Sequence, residues 1–78
     1  MYKFISDPGH GWLRVPLSEI KGHTNYSSYS YQDDTYAYLE EDCDAPKFLN
    51  GMGLTYNDFE DVYMEDCFIR NLPRLVSQ

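Results

Sequence analysis

The sequence predicts an α+β fold: a small antiparallel sheet of four or five strands, with one or two short helices on one face. Three observations carry that reading. Short runs alternate between apolar or aromatic and polar residues, as half-buried strands do. Clusters of Asp, Pro, Gly and Asn separate these runs at hairpin spacing. Two helix-start signals, at Pro16 and Asp44, follow the strand pairs.

Residues 2–6 are rich in aromatic and β-branched side chains and read as a first strand. Asp7-Pro8-Gly9-His10-Gly11 is turn punctuation, because Pro fixes one φ and glycine permits a positive one. Residues 12–15 then alternate, with Leu13 and Val15 on one face and Trp12 and Arg14 on the other. The pair predicts a hairpin with a five-residue connection. Pro16 ends the strand and suits the start of a helix. Leu17 and Ile20 share a face of that helix, and Gly22 would close it. Two short turns at most need tertiary packing to hold them.

Residues 26–32 and 35–40 predict a second hairpin, turning at Asp33-Asp34. Tyr29 and Tyr31 share a face, as do Tyr36 and Tyr38. Tyrosines opposed across such strands stabilise the pairing by a few tenths to about 1 kcal/mol per pair. Asp44 reads as an N-cap, Phe48 and Leu49 as the buried stripe, and Gly51 or Gly53 as the stop. Thr55-x-x-Asp58 is a weak capping signal for one more turn. Residues 62–65 fit either a helix or a strand, and their alternation favours a strand. Residues 68–72 read as a final strand, which Pro73 limits to an edge or an end. The expected core is Phe4, Leu13, Val15, Ile20, Leu39, Phe48, Leu49, Val62 and Ile69, completed by tyrosines.

The 78 residues make one domain, 1–78. A chain of this length buries only about 60% of its unfolded surface. That leaves little structure for a deep cleft beside an independent core. Eight tyrosines suit such a thin core, since the ring is buried while the hydroxyl stays wet or bonded. No stretch approaches the roughly 20 apolar residues of a membrane span. Met1-Tyr2-Lys3-Phe4 opens no apolar leader, so a cytoplasmic location is expected. Cys43 and Cys67 are then expected as free thiols, with a bridge left open for an oxidising setting.

The net charge of −7 is unevenly distributed. Residues 24–66 carry eleven acids against Lys47 alone, whereas both flanking segments are slightly basic. Such a field repels nucleic acid and membrane surfaces and attracts basic protein surfaces. Glu41-Asp42-Cys43 recurs as Glu65-Asp66-Cys67, which suggests two acidic strand ends of similar chemistry.

The carboxylates admit three readings: a solvated face, a surface that imitates spaced phosphates, or a calcium site. The run lacks the Asp-x-Asp-x-Asp-Gly spacing of an EF-hand loop. As a contact surface it would use Glu40, Glu41, Asp42, Asp44, Asp58, Glu60, Asp61, Glu65 and Asp66, with Tyr36 or Tyr38 as amphipathic anchors. His10, between two glycines, has the chemistry of an acid or base. Its setting fits a tight turn better, with Trp12 packing behind. Cys43, Cys67, His10 and His23 lack the close pairing of zinc ligands. No catalytic residue, metal or cofactor is therefore expected, and the chain does not read as an enzyme.

Two stretches carry a resemblance. Ser6-Asp7-Pro8-Gly9-His10-Gly11-Trp12-Leu13-x-Val15-Pro16 is followed by Tyr29-Ser30-Tyr31 and then Tyr38-Leu39-Glu40-Glu41-Asp42-Cys43-Asp44-Ala45. In this order they resemble a family of small uncharacterised proteins of phages, prophages and plasmids of Gram-negative bacteria. The terminal Ile69-Arg70 segment is also similar, while relatives carry a longer helical segment after Val15-Pro16. Mobile elements often encode small acidic antagonists of host defence, including anti-CRISPR and anti-restriction proteins. The resemblance supplies a setting and no mechanism; added to the acidic surface, it favours the expectation of an inhibitor in the host cytoplasm. It would bind a basic surface of a nucleic-acid-binding complex in DNA-mimic fashion, without touching nucleic acid or membrane itself. It would act as a monomer or weak homodimer. The alternative is an accessory or regulatory interaction module whose acidity serves only solubility.

Overall fold

Trp12, Leu13, Arg14 and Val15 alternate across a strand that has a partner on each side. The computed structural model describes residues 2–20, 30–53 and 59–75. Its elements are β1 (Lys3–Ser6), β2 (Gly11–Pro16), α1 (Leu17–Ile20), β3 (Tyr31–Gln32), β4 (Tyr36–Glu40), α2 (Asp44–Met52), β5 (Glu60–Tyr63) and a 3₁₀ helix (Phe68–Asn71). The five strands form one sheet in the order β3-β4-β2-β1-β5. The α+β class expected from the sequence is the one observed.

Four strands pair antiparallel as expected, but β5 lies parallel to β1, so the sheet is mixed. Parallel neighbours need a crossover, and α2 lies between β4 and β5 in the chain. The expected last strand over 68–72 is instead the 3₁₀ helix, and of the alternating residues 62–65 only Val62 and Tyr63 belong to a strand, β5, which begins earlier, at Glu60. Residues 21–29 and 54–58 lie outside the described residues, and with them the Gly22 cap, Tyr26, Tyr29, His23 and the Thr55-x-x-Asp58 signal.

Both hairpin turns are tighter or shifted relative to expectation. The Asp7 N–H donates to the His10 carbonyl at 2.8 Å, which leaves Pro8-Gly9 at the centre of the turn rather than a five-residue loop. The Asp33 N–H donates to the Tyr36 carbonyl at 2.9 Å, so the second turn centres on Asp34-Thr35. In each, the first Asp accepts from two later amides: Gly9 and His10 on Asp7, Thr35 and Tyr36 on Asp33. An Asp at the first turn position satisfies otherwise orphaned donors in this way.

The sheet buries both faces. On one, Leu13, Val15, Ala37 and Leu39 pack against Ile20 of α1 and Ala45, Phe48 and Leu49 of α2. On the other, Ile5, Trp12 and Tyr38 pack against Cys67 and Ile69 of the C-terminal segment. The helices thus share one face, and a second core absent from the sequence reading covers the other. Each large apolar side chain so buried contributes roughly 1.5–3 kcal/mol. Gly53, at φ 67°, stops α2 and donates to the Leu49 carbonyl. That left-handed conformation is open to glycine with little strain.

Candidate interaction surface

Strand direction decides where the acids fall. β1 ends at Ser6 and β2 begins at its partner Gly11, while Trp12 of β2 pairs with Glu40, the last residue of β4. Parallel β5 ends at Tyr63, the partner of Ser6. Both Glu-Asp-Cys triplets therefore leave the sheet at the same end. Glu41, Asp42, Glu65 and Asp66 are exposed there, and Glu40 is half-buried. The ends of β4 and β5 are three strand spacings apart, roughly 14 Å. Five carboxylates, four of them exposed, share that end.

Of the other expected contacts, Asp61 alone among the described residues approaches them, lining one hollow with Glu41. Asp61 lies within β5, and Glu60 begins it at the opposite end, beside Lys3. Asp44 is fully buried and is not a surface contact. It is the first residue of α2, not its cap; Cys43 holds the cap position without a side-chain bond. The buried Ser30 hydroxyl donates to the Asp44 carboxylate and accepts the Glu40 N–H at 3.0 Å. Lys47 Nζ lies 3.7 Å from the same carboxylate. Asp44 thus ties the start of α2 to the end of β4.

Tyr38 is only 2% exposed and is not an anchor either. Its hydroxyl donates to Asp33 at 2.7 Å, and its ring meets Phe68 edge-on. Burial, and then the bond to Asp33, pushes its pKa well above the ordinary tyrosine range. Tyr36 is half-buried beneath Arg14, whose guanidinium carbon lies 4.2 Å from the ring centre. Asp58 lies outside the described residues.

Arginines border the acidic end: Arg70 lines one hollow with Glu65 and Asp66, and Arg70 and Arg74 line another with Glu40 and Asp42. Arg14 stacks on Tyr36 and Arg74 on Tyr31. Arg70 pairs with Asp7, whose side chain is only 4% exposed. The Arg70 guanidinium, aided by the His10 and Gly9 amides, holds the Asp7 carboxyl far below the usual carboxylate range against the effect of burial. Sequence reading missed this pair, since nothing local links positions 63 residues apart.

Cys43 and Cys67 are free thiols. Among the described residues no three of His, Cys, Asp and Glu gather as metal ligands would, and no helix is long and apolar enough to cross a membrane. His10 is exposed, its amide held by Asp7 and its ring tilted 6.0 Å from Trp12. A hollow of about 500 Å³ lies between the sheet and the C-terminal segment, lined by Trp12, Tyr31, Glu40, Asp42, Arg70 and Arg74. Its walls carry both signs of charge, so they select neither an anion nor a cation.

Comparison with family descriptions, curated proteins and solved structures finds no match to this chain. The functional reading therefore rests on the surface and on the sequence motifs.

Proposed function

We propose that this chain is a non-enzymatic binding protein. It would present the acidic end of its sheet to a basic, nucleic-acid-binding surface of a bacterial defence complex and block access to it. One observation supports the reading most. Two separate Glu-Asp-Cys triplets, 24 positions apart in the sequence, converge on one end of the sheet through the parallel docking of β5. A solvated face needs no such convergence. The phage, prophage and plasmid resemblance of the SDPGHGWL and YLEEDCDA stretches supplies the biological setting for this proposal.

The contact set is narrower than the sequence suggested: Glu40, Glu41, Asp42, Glu65 and Asp66, with Asp61 at the margin. No single carboxylate dominates, because rim charges mainly tune association rate. The test is capture of bacterial lysate proteins on the immobilised chain, followed by elution with duplex oligonucleotide. Elution of the retained protein by duplex supports occupancy of a nucleic-acid site. Retention that duplex does not disturb overturns it.

A second reading, an accessory interaction module with acidity serving solubility, is favoured by Glu60, which stands at the far end of the sheet, away from the cluster. It predicts that charge reversal at the acidic end changes solubility and leaves partner capture intact.

A further inference from the structure

The two edges of the sheet are finished differently. At the β3 edge the Gln32 N–H donates to the Pro73 carbonyl at 2.9 Å, and Tyr31 bridges to Arg74. The C-terminal segment therefore closes that edge. At the other edge, among the described residues, no strand pairs with the outer side of β5. Glu60 and Met64 donate to the Tyr2 and Ser6 carbonyls at 3.0 and 2.8 Å. Pairing groups alternate in direction along a strand. The N–H and C=O of Asp61 and Tyr63 consequently face the open side.

We propose that this edge takes an extended basic segment of a partner protein as an added sixth strand. The proposal rests on the reading of the acidic end as a contact for basic protein, and names how that contact is made. Main-chain bonds to an edge give affinity, and pockets for alternate side chains give specificity. The open edge offers both. Asp61 and Tyr63 are exposed, Tyr63 by 61%. A shallow hollow of about 450 Å³ beside them is lined by Phe4, Glu41, Asp61 and Tyr63. Two carboxylates with aromatic walls suit a Lys or Arg side chain projecting from every second residue of the added strand.

The same charges decide against a second copy of this chain. An edge-to-edge dimer would crowd Glu60 and Asp61 of one copy alongside those of the other, and like charges on adjoining strands weaken a pairing. A basic strand meets no such repulsion.

The test uses the full chain and a blocked, alternating Lys-Val peptide of about six residues, with a Glu-Val peptide as control. Amide hydrogen exchange is read on the wild type, and affinity is read on wild type, Tyr63→Phe and Tyr63→Pro. The expected result is slowed exchange at Asp61 and Tyr63 with the Lys-Val peptide only. Tyr63→Pro, lacking one outward N–H, should bind roughly tenfold or more weakly than wild type, and Tyr63→Phe, which keeps that N–H and the ring wall, should bind more tightly than Tyr63→Pro. Binding of the Lys-Val peptide without protection of those two amides overturns strand addition and leaves the acidic contact standing. No binding of that peptide also overturns strand addition, and duplex elution of captured protein then decides the acidic contact separately.

Discussion

Arg70 grips Asp7 across 63 residues of chain, with Nε 2.6 Å from Oδ2 and Nη2 3.1 Å from Oδ1. One carboxylate thereby organises the first hairpin turn and anchors the 3₁₀ helix that covers one face of the sheet. The paired geometry is the strong form of a charged hydrogen bond.

This pair makes stability depend on acid pH. Asp7 has a depressed pKa in the fold, chiefly through Arg70, so its contribution is full above the unfolded carboxylate value of about 3.9 and fades as pH falls below it. Asp33 adds to the same trend; burial raises its pKa, but the Tyr36 and Thr35 amides and the Tyr38 hydroxyl outweigh that and lower it. Arg70→Ala should lower Tm at neutral pH, and the gap from wild type should narrow as pH drops into the acid range. Thermal melts across pH check this. A gap constant with pH would show that Asp7 does not act through Arg70.

Tyrosines set the opposite limb. Tyr2 is pushed up to about 12 by its hydrogen bond to Glu19, then by burial, and Tyr38 is pushed higher still by burial and then Asp33. Raised values of this kind stabilise the fold below the unfolded tyrosine value of about 10 and lose that contribution as pH climbs through the folded one. Tyr38→Phe should flatten the loss of stability above pH 10. Denaturation followed along an alkaline series tests it, and an unchanged slope would contradict the assignment.

Gly11 faces the Phe4 ring so closely that an added Cβ would lie 2.6 Å from two ring carbons. Gly11→Ala should cost about 1–3 kcal/mol in urea unfolding, as overpacking does. Phe4→Leu in the same chain should recover part of it. Additive losses in the double variant would rule out the clash.

Ser30→Ala leaves the Glu40 N–H without its hydroxyl acceptor and takes one donor from the buried Asp44 carboxylate. The expected loss is about 1–3 kcal/mol. A double-mutant cycle with Asp44→Asn should show coupling, because both substitutions act on one buried bond. Absence of coupling would separate the two residues.

The local elements were largely legible in the sequence, because each carries its own signal. Aromatic and β-branched content placed β1, alternation placed β2 and β4, Pro16 and Leu17 marked α1, and of the two glycines that could end α2, Gly51 and Gly53, the second does. Long-range relations were not legible. The parallel docking of β5 depends on a crossover, not on any residue within Glu60–Tyr63. The burial of Asp44 depends on Ser30, fourteen positions earlier, and an Asp before a helix reads first as an exposed cap. Phe68–Asn71 misled because an apolar run beside a proline fits an edge strand as well as a 3₁₀ turn. The echo of Glu41-Asp42-Cys43 in Glu65-Asp66-Cys67 was visible, but only the strand directions bring the two copies together.

The proposed function requires the acidic end of the sheet to be the contact surface. Its most direct test is retention of bacterial lysate proteins on the wild-type chain and on Glu41→Lys/Asp42→Lys/Glu65→Lys/Asp66→Lys, at low and high ionic strength. The expected result is a nucleic-acid-binding protein held by the wild type at low salt, and lost both at high salt and in a variant whose circular dichroism is unchanged. The same protein retained by the charge-reversed chain, or retained equally at both salt concentrations, would contradict it.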